Sequence, residues 1–147
     1  MDEKLLSVVI EGVKDARDVI LCDLGQLTHE DLDRTWMSGE RRAYDFIYEV
    51  AIVNNRIAKR LAGEDPGPMP WVFGKEWLKA PDYYRDKARA SEFLSDSSDA
   101  VRTAAETSLL EGAKIVDLLA FSVRHMSYHD GQLNFIQSLK GDMALHW

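Results

Sequence analysis

The sequence predicts an all-α protein, an antiparallel four-helix bundle with a long crossover between its second and third helices. Three observations predict it. Four long segments repeat apolar residues at three- and four-residue steps, the spacing that gives a helix one apolar face. No segment alternates apolar with polar residues, and no hairpin dipeptide separates two apolar runs. The longest interruption opens with prolines 66, 68 and 70 among glycines, a composition that cannot continue a helix. Four amphipathic helices of similar length bury their stripes most simply against one another.

The first helix is expected over residues 3–24, with Leu5, Leu6, Val9, Val13, Ala16, Ile20 and Leu24 on one face and Gly25 as its stop. Thr28 reads as the N-cap of a short helical turn with acidic residues behind it. Leu27 and Leu32 are placed as a hydrophobic staple, and the turn feeds Trp36 back onto the bundle. The second helix is expected over 40–62. Its main stripe is Ala43, Phe46, Ile47, Val50, Ala51, Ile57, Ala58 and Leu61, widened by Tyr48, Ile52 and Val53, so it should touch more than one neighbour. Asn54 falls within that stripe, where a polar side chain needs a partner. The third helix is expected over 82–108. Its stripe of Ala88, Leu94, Val101, Ala105 and Leu109 is weak, and a break is expected among the serines at 95–98. The fourth, over 113–140, lines up Ile115, Leu118, Leu119, Met126, Leu133 and Ile136 and ends at Gly141.

The chain has 147 residues, a size that gives one domain with a real core, here taken as 1–147. Its formal net charge of -7 argues against binding to nucleic acid, which needs a basic surface to displace counterions, and against docking on an anionic membrane. The charged start Met1-Asp2-Glu3-Lys4 resembles no signal peptide, and no apolar run is long enough to span a bilayer. A single cysteine, Cys22, cannot form an internal disulfide, so a cytoplasmic location is expected. No nucleophile triad, phosphate-binding glycine loop or cysteine-based zinc pattern is present.

The sharpest chemical signal is His125-Met126-Ser127-Tyr128-His129. Two histidines four apart project from one side of a helix, so both imidazoles can reach one metal ion. His129 falls within the apolar stripe and His125 at its edge. The pair reads either as metal ligands or as boundary histidines held by hydrogen bonds. Met126 stands where a zinc protease carries its glutamate, which removes that reading. His29, in a capping turn, and the near-terminal His146 read as exposed residues. Trp71 and Trp77 read as loop anchors or as walls of a pocket or subunit contact.

The stretch from His125 through Asp130-Gly131-Gln132-Leu133 resembles the last-helix signature of the DinB-like (YfiT-like) bundles, which carry His-x-x-x-His followed by a Gly-Gln-Leu-like tripeptide. The pattern from Tyr44 to Leu61, followed by Gly63, and the order and length of the elements are also similar, so the resemblance covers nearly the whole chain. It implies a metal site whose third ligand is a histidine near the start of the second helix. Here Glu49 lines up with that position. Two histidines and a carboxylate suit Zn, Ni, Fe or Mn with open positions left over. On a helical wheel Glu49 lies roughly 120° from the stripe centre, so a solvated glutamate is the other reading. Asn54 and Tyr128 are then the candidate substrate contacts. The resemblance further implies a metal-dependent transferase or hydrolase with a small-molecule or thiol substrate, working as a homodimer. The alternative is a non-enzymatic, stress-associated dimer or small-ligand binder with a degenerate site.

Overall fold

The structure is a computed structural model and describes residues 3–36, 41–72, 75–144 and 146. It is all-helical: α1 is Glu3–Gln26, α2 His29–Asp33, α3 Ala43–Leu61, α4 Lys87–Glu106 and α5 Gly112–Leu139, with a 3-10 turn at Asp82–Tyr84 before α4. No strand occurs among the described residues; one isolated bridge pairs Thr35 with Arg42. Among them, no helix is long and apolar enough to cross a membrane.

Each long helix buries most of the face its spacing dictates; on α4 the expected Ala88 is exposed and Ala90 takes its place in the core. Val13, Ile20 and Leu24 of α1, Phe46, Val50 and Leu61 of α3, Leu94 and Val101 of α4, and Leu119, Met126 and Ile136 of α5 meet in one core. Both α1 and α3 pack against α4 and α5. The short α2 carries the expected capping box. The Asp31 amide donates to the Thr28 hydroxyl, and the Thr28 amide donates to the Asp31 carboxylate. Leu27 and Leu32, the two staple residues, are both buried.

Several boundaries differ from those the sequence suggests. Gly25 lies inside α1, which runs on to Gln26. Leu5 is half exposed near the start of α1. The expected start of the second helix at Glu40 lies outside the described residues, and α3 begins at Ala43. Helix α4 starts at Lys87, because the Asp86 side chain caps it by accepting from the Arg89 amide. No break occurs at its serines. Ser91 and Ser95 donate to the carbonyls one turn behind, at Lys87 and Ser91, while Ser97 and Ser98 are small enough to be buried. Leu109 lies beyond the end of α4 and is fully exposed. Gly141 does stop α5, with φ at 86°.

The α3 side chains of Arg56 and Asp45 both bond to the backbone of the segment 62–86. The Arg56 guanidinium donates to the carbonyls of Pro66, Gly67 and Pro68 at 2.6–3.0 Å. The buried Asp45 carboxylate accepts from the Arg42 and Ala80 amides, both at 2.8 Å. Tyr84 then plugs in against Tyr48 and Phe93.

Two buried polar clusters join the helices. Asn54 has no exposed surface: its amide nitrogen donates to the Ser98 hydroxyl at 3.3 Å and its carbonyl accepts from Ser122 at 2.8 Å, linking α3 to α4 and α5. Replacing it with alanine leaves both hydroxyls without this partner. Asn54→Ala should cost about 2–4 kcal/mol, seen as a lower urea midpoint with an unchanged slope. Between α1 and α5, Asn134 donates to both Asp23 and Asp130, and Gln137 donates to Asp23. Burial, with the hydrogen bond and negative charge of Asp23, raises the Asp130 carboxyl to about 7. The folded protein therefore keeps this proton to about pH 7, whereas an unfolded aspartic acid loses it near 3.8. Between those values the folded state binds more protons, so this group's contribution to stability falls as pH rises. Asp130→Asn should flatten that slope, and melting curves at about pH 5 and about pH 8 compare the two proteins across the window.

Candidate metal centre

Helix α5 presents His125 and His129 one turn apart on its inward side, and α3 presents Glu49 opposite them. The two Nε2 atoms are 3.3 Å apart, and Glu49 Oε1 is 3.6 Å from each. A triangle with sides of 3.3, 3.6 and 3.6 Å has a circumradius of about 2.0 Å, close to the bond lengths zinc makes with histidine and carboxylate. The three residues therefore fit a divalent ion without rearrangement of the helices, and this buried cluster could hold one.

Glu49 is buried, 9% exposed, which excludes the solvated reading. The flank of the α3 stripe faces α5 rather than water, because α3 has neighbours on more than one side. Burial pushes the Glu49 carboxyl up. The imidazoles of His125 and His129 beside it, with the charge of Arg41, outweigh that and hold it well below the usual carboxylate range. Its second oxygen, Oε2, accepts from Arg41 Nη2. Arg41 is itself buried, its guanidinium lying between the Phe46 and Trp77 rings at 4.7 and 4.6 Å. Glu49 thus divides its oxygens, one toward the imidazoles and one toward a permanent positive charge.

The imidazoles are held by their surroundings. His129 stacks on Phe46 and His125 on Phe121. His129 Nδ1 lies 2.7 Å from the Gln132 carbonyl oxygen, which can only accept. The proton of the neutral ring therefore sits on Nδ1, and Nε2 presents its lone pair to the Glu49 side. Burial of His129 pushes its imidazole below its ordinary range. The nearby Glu49 carboxylate pulls the other way without cancelling it.

Above the group opens a cavity of about 320 Å³. Val53, Ile57, Met69, Trp71 and Phe121 make its apolar walls, with Arg56, Arg60 and Tyr128 at its edges. Met69 and Trp71 show that the segment after α3 forms part of the wall. Tyr128 lies in the lining, mostly exposed, its hydroxyl 3.4 Å from the Gln132 amide nitrogen. Asn54, given as a candidate substrate contact, is absent from this lining; it is fully buried and bonded to Ser98 and Ser122. Trp77 covers Arg41 instead of lining the cavity. His29 is exposed and bonded to the Tyr44 hydroxyl, and His146 to Asp142. Cys22 is exposed on α1.

Sequence reasoning missed Arg41, Gln132, Arg56 and Arg60. Gln132 was findable, since a residue three beyond a helical histidine shares its face. Nothing in the periodicity marks Arg41, which precedes α3 and enters the site through the fold. No family model, curated protein or solved structure matches this chain.

The tautomer offers a direct check. Side-chain nitrogen NMR should show His129 protonated at Nδ1 and bare at Nε2. Gln132→Ala should yield a tautomer mixture and weaken Zn²⁺ binding about tenfold to a hundredfold.

Proposed function

We propose that this chain is a DinB-like divalent-metal protein, a four-helix bundle in which the segment 62–86 crosses between the second and third long helices, and that it acts as a metal-dependent transferase or hydrolase. The ring of contacts linking α1 and α3 to α4 and α5 supports the bundle. The observation that carries the functional reading is the triangle of Glu49 Oε1, His125 Nε2 and His129 Nε2 at the base of an apolar cavity. Two imidazoles and one carboxylate suit Zn, Ni, Fe or Mn and leave coordination positions for a reactant. An ion bound there would supply a Lewis acid.

The chain's own residues have separate tasks in this reading. Glu49 contributes the negative charge, and Arg41 fixes its orientation from the far oxygen. Gln132 keeps His129 Nε2 free of a proton. Met69, Trp71 and Phe121 keep bulk water from the reacting end, which strengthens every polar interaction there. Tyr128 stands at the edge with its hydroxyl proton able to donate to a bound molecule.

The Arg41–Glu49 ion pair favours a second reading. A buried carboxylate neutralised by a guanidinium and two imidazoles needs no metal. The protein would then be a non-enzymatic bundle that holds a small ligand or serves as a stress-associated dimer.

Elemental analysis after reconstitution separates them. One equivalent of Zn, Ni, Fe or Mn is expected, abolished in His125→Ala and His129→Ala and reduced in Glu49→Ala, with helical circular dichroism retained. A folded wild-type protein that takes up none of the four ions would refute the metal reading and leave the second.

A further inference from the structure

The cavity carries a charge opposite to that of the chain. The protein as a whole is acidic, at -7. Within the cavity lining, however, the one carboxylate is Glu49, and its charge is already matched by Arg41. That leaves Arg56 and Arg60. Among the described residues the acceptors of Arg56 are neutral carbonyls, so its positive charge is held in place without being cancelled by them. Arg60 is exposed, and its guanidinium has no hydrogen-bond or ion-pair partner among the described residues.

The spacing sets the distance between the two ends. Glu49, Val53, Ile57 and Arg60 follow one another at three- and four-residue steps along one side of α3. Eleven residues at the helical rise put the Arg60 Cα about 16 Å from that of Glu49. Arg60 therefore lines the far end of the cavity, with Val53 and Ile57 between it and Glu49. Between the two ends the walls are aliphatic and aromatic. Such a space suits a molecule with an apolar body and one anionic group.

From this arrangement we infer that the cavity takes a small monocarboxylate with an aromatic or branched aliphatic body. Its carboxylate sits against Arg60, assisted by the field of Arg56. Its body lies along Val53, Ile57 and Trp71, and its opposite end is directed at Glu49, His125 and His129. The inference rests on the functional reading above only for the last clause, since anion selectivity at Arg60 needs no metal.

The test uses 3-phenylpropionate and its neutral amide, 3-phenylpropanamide, titrated into EDTA-treated and zinc-loaded protein and followed by tryptophan fluorescence and calorimetry. The acid should bind about tenfold more tightly than the amide in both forms, the size expected of one charge-assisted pair at a partly exposed site. Arg60→Gln should remove that preference, and Arg60→Lys should keep part of it. Trp71→Ala should weaken acid and amide alike. Equal affinity for acid and amide, a preference that survives Arg60→Gln, or no binding of either at millimolar concentration would overturn the inference. So would a preference seen only with zinc and indifferent to Arg60, because the ion would then be holding the carboxylate. Failure of the metal reading has a different signature: no zinc uptake, with the acid still preferred by the EDTA-treated protein.

Discussion

A carboxylate buried between helices governs this structure. Removing a charged group from water is costly unless partners replace the water, and Glu49 sits where almost none reaches it. Its surroundings follow from that requirement. Arg41 folds in from before α3 to meet one oxygen, and two imidazoles of α5 converge on the other. Each partner needs support in turn: Phe46 and Trp77 around the guanidinium, Phe46 and Phe121 against the rings, Gln132 behind His129. Phe46 serves both sides, touching Arg41 and His129, and so couples the two halves of the group through one ring.

The helices were legible because burial imposes a period that the residues display. Their ends were less so. Caps depend on single hydrogen bonds, such as that from the Arg89 amide to Asp86, and a serine-rich stretch reads as a weak helix until its hydroxyls are seen bonding back to the preceding turn. The histidine pair was legible for the same reason as the helices, since spacing alone puts both rings on one side. Glu49 was ambiguous, as a wheel drawn for a single helix cannot show which flank another helix covers. Asn54 was read as inward-facing, and it is; its partners on α4 and α5 come from distant positions, so the sequence offered no way to tell a packing amide from a binding one.

The two buried polar clusters differ in how they respond to their surroundings. Around Asn54 every group is neutral, and donors and acceptors are matched among amide and hydroxyls. Around Asp23 two acids share the donors of Asn134 and Gln137, and the arrangement is easiest to satisfy when one of them holds a proton. The first cluster fixes how α3 meets α4 and α5. The second makes the seam between α1 and α5 sensitive to acidity, one residue along from His129.

The hold of Arg56 on three successive carbonyls divides the stretch after α3 into two parts with different freedom to change over evolutionary time. Between Pro66 and Trp71 the backbone is pinned close to the helix that also carries Glu49, so an inserted or deleted residue there would shift Met69 and Trp71 along the wall and reshape the chamber. Past Trp71 the chain is held again at Trp77, whose ring lies over Arg41, and then by the Asp45–Ala80 bond, and added length before Trp77 can be accommodated without moving these anchors. Descendants of such a scaffold could therefore lengthen that outer arc and acquire a new cover for the chamber while its floor stays as it is.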